Sequence, residues 1–194
     1  MLTVAPANAA APTILVYGDS LSAAYGIPRE QSWVSLLQQR LKQEGLTHQV
    51  INTSISGETT TGGSSRIAAT LKANQPNIVL IELGANDGLR GLPLNEMQNN
   101  LIQMIEACQQ AKAKVVLVGM MIPPNYGPKY TREFNETYNN LAKRYRLALV
   151  PFLLADVAGN PELTQDDGLH PTALAQPRVL DNVWKILKPE LAKH

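Results

Sequence analysis

Hydrophobic residues fall into two alternating patterns along this chain. Five short apolar runs, rich in β-branched residues, occupy Thr13 to Tyr17, Gln49 to Thr53, Asn77 to Leu83, Lys114 to Met120 and Ala148 to Phe152. In a run such as Ile78-Val79-Leu80-Ile81 the hydrophobicity is continuous, which is typical of parallel strands covered on both faces. We therefore predict five strands of a buried parallel sheet.

Longer segments between and after these runs have apolar residues at spacings of three and four, which indicates helices with one buried stripe. They extend over Trp33 to Leu41, Ile67 to Leu71, Met97 to Cys108, Tyr130 to Tyr145 and Leu180 to Leu187. We expect Pro177 either to kink the last helix or to start it afresh. Regular alternation of strand and helix predicts an α/β three-layer sandwich, with helices on both faces of a flavodoxin-like sheet of strand order 2-1-3-4-5.

The length of 194 residues and the 44% hydrophobic content suit one domain, which we assign to residues 13–194. Residues 1–12 are rich in alanine and uncharged, and Ala7-Asn8-Ala9 resembles the pattern before a signal peptidase cut. This segment is either the remnant of an export signal or a flexible extension, because it lacks a basic region. We expect a periplasmic or secreted protein, and otherwise a cytoplasmic one.

Charge and composition exclude several classes of partner. A formal net charge of +1 offers no basic footprint for nucleic acid. No apolar run approaches the roughly twenty residues that a membrane-spanning helix needs, so we expect no stable membrane anchor. Cys108 lies on an apolar helical stripe, which predicts that it is a small buried residue. It is the single cysteine, so no intramolecular disulfide forms.

Polar and glycine-containing segments follow four of the predicted strands. Ser20 comes after the first strand, Ser56-Gly57-Glu58 after the second, Gly84-Ala85-Asn86-Asp87 after the third, and Asp167-Gly168-Leu169-His170 beyond the fifth. The carboxyl ends of parallel strands meet at one edge of a sheet, where ligands bind near the point at which strand order reverses. The four segments are thus expected to converge on one crevice.

A serine hydroxyl is a weak nucleophile unless an imidazole accepts its proton and a carboxylate orients that imidazole. Of the three histidines, His48, His170 and His194, only His170 has a carboxylate close by in a polar loop, three residues earlier at Asp167. The sequence therefore predicts Ser20 as nucleophile, His170 as general base and Asp167 as the residue that orients it.

Acyl transfer also needs hydrogen-bond donors for the oxyanion of the tetrahedral intermediate. The candidates at the same sheet edge are the backbone N–H of Ser20, the backbone N–H of Gly57 and the side-chain amide of Asn86. Taken singly, each position has a structural explanation, because serine, aspartate and asparagine cap helices and glycine supplies turns. The structural explanation for the whole set requires four independent coincidences.

These segments together resemble the four signature blocks of the GDSL or SGNH hydrolases. The blocks are Gly18-Asp19-Ser20-Leu21-Ser22, Gly57, Gly84-Ala85-Asn86-Asp87 and Asp167-Gly168-Leu169-His170-Pro171, and the match covers about residues 13 to 190. The resemblance extends to the bacterial periplasmic esterases of that family that act as thioesterase, arylesterase and lysophospholipase. It implies a flavodoxin-like sandwich, a triad of Ser20, Asp167 and His170, and an oxyanion hole of Ser20, Gly57 and Asn86.

Other catalytic and cofactor signatures are missing from the sequence. There is no Gly-x-Ser-x-Gly, no phosphate-binding loop or Gly-x-Gly-x-x-Gly after the first strand, and no His-Glu-x-x-His. Asp166 and Asp167 are adjacent acidic residues, which in a loop usually belong to a solvent-exposed turn and do not bind a metal. We predict no cofactor and no metal.

Apolar loop residues at the same edge suggest the substrate class. Leu89 and Leu92 surround the Asn86 loop, while Met121, Pro124 and Tyr126 follow the fourth strand. These five either line a channel for an acyl chain or cap the end of the core. We predict a monomer that hydrolyses small-molecule esters and thioesters of medium to long acyl chains, aryl esters and lysophospholipids through an acyl-enzyme intermediate.

Two other functions fit the same residues. One is a carbohydrate acetylesterase on the same frame, although only 5% of the residues are aromatic and available to stack on sugars. The other is a catalytically silent ligand-binding domain that retains the crevice.

Overall fold

The computed structural model of the protein describes residues 11–191. Most of the segment assigned to export, residues 1–12, lies outside the described residues, as does His194, so the localisation and the domain boundary stay predictions. Within the described residues, no helix is both long enough and apolar enough to cross a bilayer.

Five parallel strands form one sheet in the order β2-β1-β3-β4-β5, which confirms the predicted topology. The strands are β1 Thr13–Gly18, β2 Gln49–Asn52, β3 Ile78–Glu82, β4 Lys114–Val118 and β5 Ala148–Val150. Their ends differ from prediction by at most two residues; β5 stops at Val150, before Pro151, which has no N–H for the ladder.

Helices cover both faces of the sheet. They are α1 Trp33–Gln43, α2 Thr60–Asn74, α3 Ala85–Leu89, α4 Leu94–Gln110, α5 Pro128–Tyr145 and α6 Gln176–Leu191. Helix α1 packs on α6, whereas α2 packs on α4 and α4 on α5. The sequence did not predict α3, because five residues are too few to show a helical period. Pro177 is the second residue of α6, so it starts that helix and does not kink it.

The core lies between the sheet and the two helical layers. The central strands are buried throughout, as Ile14 to Tyr17 and Ile78 to Ile81 illustrate. Cys108 is also buried, which raises the pKa of its thiol to about 12. Trp33 links the core to the loop after β1, since its indole N–H donates to the carbonyl oxygen of Leu21 at 3.2 Å. The packing thus fixes the loop that carries Ser20.

Candidate active site

Ser20 lies in a tight turn immediately after β1. The N–H of Ala23 donates to the Asp19 carbonyl at 2.9 Å, and the N–H of Leu21 donates to Asp19 Oδ1 at 3.0 Å. Gly18 leaves room for the Glu82 carboxyl group, because a Cβ there would lie 2.6 Å from Glu82 Oε2. The local chain therefore presents Ser20 at the carboxyl edge of the sheet.

His170 is presented by a loop that Asp167 organises. Asp167 Oδ1 accepts hydrogen bonds from the backbone N–H groups of Leu169 and His170, each at 2.9 Å. The N–H of Gln165 donates to the His170 carbonyl at 2.7 Å and closes the loop. The three-residue spacing of Asp167 and His170 thus lets one carboxylate fix both the backbone and the ring of His170.

Ser20 and His170, which are 150 positions apart, meet at this edge: Ser20 Oγ lies 2.9 Å from His170 Nε2. His170 Nδ1 lies 2.6 Å from Asp167 Oδ2. Partial burial alone would raise the pKa of Asp167, but the N–H groups of His170 and Leu169 and the imidazole outweigh it and lower that pKa to about 2. A carboxylate that stays ionised is able to hold a neutral imidazole in one tautomer and to stabilise the imidazolium.

Tyr25 adds a contact that the sequence did not reveal. Its ring centroid lies 4.5 Å from that of His170, with the planes inclined by 38°. The side-chain amide of Gln165 donates to the Tyr25 carbonyl at 2.9 Å. Tyr25 therefore connects the loop of Ser20 with the loop of His170 independently of the Ser20–His170 contact.

Two of the predicted oxyanion donors are backbone N–H groups in the loops that follow β1 and β2. Within residues 11–191, neither the N–H of Ser20 nor that of Gly57 has a hydrogen-bond acceptor. Gly57 has φ of +78°, which favours glycine, and its carbonyl accepts a hydrogen bond from Arg90 Nη2 at 3.0 Å. Both N–H groups are free to bind an oxyanion.

Asn86, the third predicted oxyanion donor, is held in place by two acceptors. Its Nδ2 donates to Asp19 Oδ2 and to the Glu58 carbonyl, both at 3.0 Å. Burial raises the pKa of Asp19 to about 6, against the opposing effects of the Leu21 N–H, His170 and Asn86. The role of Asp19 as an acceptor for Asn86 could not be foreseen, because aspartate next to serine in a loop has the same appearance as a helix cap.

An apolar cavity of about 590 Å³ opens beside Ser20 and His170. Of the residues predicted to bind substrate, Leu89, Met121 and Pro124 line it. Leu92 and Tyr126 lie outside its wall: the Leu92 carbonyl accepts the Tyr130 hydroxyl, and the Tyr126 hydroxyl donates to the Leu89 carbonyl, both at 2.8 Å. These two residues therefore support the loops around the cavity.

The remaining wall includes further apolar residues for which the sequence predicted no contact with substrate, among them Leu21, Phe152, Leu154, Ala158 and Leu169. Those after β5 could have been found from the rule that loops at the carboxyl edge line the crevice. In the part of the chain that the structure describes, no three histidine, cysteine, aspartate or glutamate side chains form a group able to hold a metal ion.

Comparison of the sequence with known proteins identifies the family of this chain. Residues 16–176 match the GDSL-like Lipase/Acylhydrolase family. The chain belongs to this family. Esterase TesA of Pseudomonas aeruginosa is 50% identical over 184 residues, covering 95% of this chain and 92% of the relative. Thioesterase 1/protease 1/lysophospholipase L1 of Escherichia coli is 40% identical over 181 residues, covering 93% of this chain and 86% of the relative.

A solved structure of similar fold is also that of an esterase. The psychrotrophic esterase EstA from Pseudoalteromonas sp., inhibited by monoethylphosphonate, has a TM-score of 0.88 and 44% identity, covering 92% of this chain and 98% of that chain. The predictions of the family, of the fold and of a hydrolytic enzyme are therefore confirmed.

Proposed function

We propose that this GDSL hydrolase cleaves carboxylic esters and thioesters through an acyl-enzyme formed on Ser20. The observation that carries the proposal is the pair of contacts that joins Ser20 Oγ to His170 Nε2 at 2.9 Å and His170 Nδ1 to Asp167 Oδ2 at 2.6 Å. The names of the relatives, an esterase and a thioesterase and lysophospholipase, support the same bond class.

In the first half-reaction, Ser20 Oγ attacks the substrate carbonyl carbon while neutral His170 takes the hydroxyl proton at Nε2. The carbonyl oxygen becomes an oxyanion, which the N–H groups of Ser20 and Gly57 are suited to bind. The two N–H bonds of the Asn86 amide already donate to Asp19 Oδ2 and to the Glu58 carbonyl, so Asn86 joins them by releasing one of these acceptors. The imidazolium then gives its proton to the departing alcohol or thiol as the bond to the carbonyl carbon breaks.

In the second half-reaction, His170 takes a proton from water, whose oxygen attacks the acyl carbon. Collapse of the second tetrahedral intermediate breaks the bond to Ser20 Oγ, and the proton returns from His170 to that oxygen. Asp167 remains ionised throughout, which agrees with the lowered pKa of its carboxyl group. No group beyond the side chains and backbone donors of the site is required.

The cavity supports an acyl chain as the part of the substrate that is recognised. Its volume of about 590 Å³ and apolar wall, which includes Leu89, Leu154 and Leu169, suit a hydrocarbon chain more than a sugar. Burial of each methylene group contributes about 0.8 kcal/mol, or roughly fourfold in kcat/KM while the chain still fits. We therefore favour medium to long acyl esters and thioesters, including lysophospholipids, over acetylated carbohydrates.

Labelling with an organophosphonate tests the nucleophile. Intact-mass measurement should show one phosphonyl adduct, localised to Ser20 by peptide mapping and lost in Ser20→Ala. Ser64→Ala is a suitable control, since that serine lies on α2, donates to Gln103 of α4 and does not line the cavity. Labelling that persists in Ser20→Ala would assign the nucleophile elsewhere.

A series of nitrophenyl esters from acetyl to palmitoyl tests the acyl site. We expect kcat/KM to rise with chain length up to the capacity of the cavity, and acyl thioesters of the same lengths to follow the same order. A sharp preference for acetyl would instead support the carbohydrate acetylesterase.

We also propose that the enzyme is exported and monomeric. Ala7-Asn8-Ala9, which precedes the first strand by a few residues, supports export. Cell fractionation with determination of the mature amino terminus tests the first proposal, and light scattering of the purified enzyme tests the second. An unprocessed cytoplasmic protein would contradict the former, and a dimeric mass would contradict the latter.

A further inference from the structure

Glu82 is an ionisable residue at the end of an otherwise apolar, fully buried strand. It is the last residue of β3, pairs with Gly18 across the sheet and is 0% exposed. Burying a carboxyl group is unfavourable unless the site uses it or neutralises it. The reaction proposed above assigns no step to Glu82.

The carboxyl group of Glu82 contacts the turn that carries Ser20 on both sides of that residue. Glu82 Oε2 accepts the Ser22 hydroxyl at 2.7 Å and the Asp19 backbone N–H at 3.3 Å. The 2.6 Å approach of a Cβ at Gly18 to the same oxygen shows how closely the carboxyl group fills the space beside the turn. Glu82 therefore connects β3 directly to the nucleophile turn.

The surroundings of Glu82 favour its neutral form. No described lysine, arginine or histidine pairs with it, and its Oε1 is buried without a partner within residues 11–191. The titratable groups facing it are Asp19 from the turn and Tyr138 from α5, whose hydroxyl donates to the Leu83 carbonyl at 3.0 Å. Burial, and then the charge of Asp19, raise the pKa of Glu82 well above its usual range.

We propose that Glu82 carries a proton in the working enzyme and is a positioning residue that holds the Ser20 turn in register with His170. The proposal rests on the function proposed above. A neutral acid accepts the hydrogen bonds of Asp19 and Ser22 without placing a second negative charge beside Asp19. Asp19 is then able to stay ionised and to hold the Asn86 amide, so one buried proton supports both the nucleophile and an oxyanion donor.

Three variants distinguish the effect of the Glu82 proton from the effect of its hydrogen bonds and from a general loss of folding. Glu82→Gln imitates a protonated glutamate and keeps an acceptor oxygen, so kcat should stay within about threefold of wild type. Glu82→Leu leaves the two donors unpaired; we expect kcat and the rate of phosphonate labelling of Ser20 to fall about 10- to 100-fold, with KM nearly unchanged, because the nucleophile is misplaced. Ser22→Ala removes one contact and should give a smaller loss, of about 3- to 10-fold. Glu106→Gln, on α4 and bonded to Tyr145, is the matched control.

Infrared spectroscopy tests the proton directly. At mildly alkaline pH, the difference between wild type and Glu82→Gln should contain the C=O stretch of a protonated carboxylic acid that shifts in D₂O, and the difference for Glu106→Gln should not. This measurement needs no catalytic activity. A wild-type protein with this band but without hydrolysis or labelling would refute the proposed function and leave the proton assignment standing.

Several results would overturn the inference. If the infrared difference between wild type and Glu82→Gln shows a carboxylate band and no protonated acid, Glu82 does not carry a proton. A folded Glu82→Gln as impaired as Glu82→Leu shows that a charge is needed, and a folded Glu82→Leu with wild-type kcat shows that Glu82 does not position Ser20. If Glu82→Leu does not fold, the kcat of Ser22→Ala tests the positioning role and the infrared difference tests the proton. An unchanged kcat in Ser22→Ala contradicts the positioning role.

Discussion

Replacement of Asn86 by alanine affects both the oxyanion and a buried charge, and the structure predicts the two effects separately. The change removes the Nδ2 group that donates to Asp19 Oδ2 and to the Glu58 carbonyl. Loss of one oxyanion donor typically lowers kcat about 100- to 1,000-fold, which corresponds to about 2.7–4 kcal/mol of transition-state stabilisation. We expect this loss in kcat, with KM changed much less, because the donor acts mainly on the charge that develops in the transition state.

The same substitution should destabilise the protein in a pH-dependent manner. Asp19 is fully buried, so Oδ2 without its donor costs about 1–3 kcal/mol of unfolding free energy while the carboxylate is ionised. Loss of the Asn86 hydrogen bond raises the pKa of Asp19 further above its value of about 6. Protonation relieves the unpaired charge, so the destabilisation should be greatest at alkaline pH and smaller in mild acid.

Steady-state kinetics with a nitrophenyl ester and urea unfolding at two pH values measure these effects. Asn139→Ala is the matched control, since Asn139 is an exposed residue of α5 whose amide donates, among residues 11–191, only to the Asn135 carbonyl. A folded Asn86→Ala enzyme with kcat within about threefold of wild type, or with a loss confined to KM, would refute the oxyanion role. An equal loss of stability at both pH values would refute the argument about Asp19.

Three further predictions concern neighbouring groups. Gly18→Ala should lower the unfolding free energy by about 1–3 kcal/mol and also reduce kcat, because its Cβ would lie 2.6 Å from Glu82 Oε2; an unchanged urea midpoint would contradict this. Tyr25→Ala should lower kcat/KM about 2- to 10-fold through loss of the ring contact with His170, whereas Tyr25→Phe should retain it; equal losses would implicate the hydroxyl instead. Asp19 has a raised pKa, so the folded state binds more protons than the unfolded state between about pH 4 and about pH 6, and stability should fall as pH rises through that window. Asp19→Asn should make that decline in urea stability shallower, and an identical slope would count against the assignment.

The buried strands and the convergence of Ser20 with His170 were predictable from the sequence. Continuous apolar runs such as Ile78 to Ile81 identify strands buried on both faces, and parallel strands carry their following loops to one edge. Because His170 was the one histidine beside a carboxylate in such a loop, the sequence limited the choice of base to a single residue. These inferences rely on local periodicity and on topology, which the order of residues encodes directly.

Only the tertiary structure decided which side chains surround the reacting groups. The separation of Leu89, which lines the cavity, from Leu92, which supports the loop beside it, depends on a difference of three residues within one short connection. The contacts of Tyr25 with His170 and of Glu82 with Ser22 join residues that are distant in sequence. A period of two or 3.6 residues shows which face of an element is buried, but not which distant atom it meets, because that depends on how the layers pack.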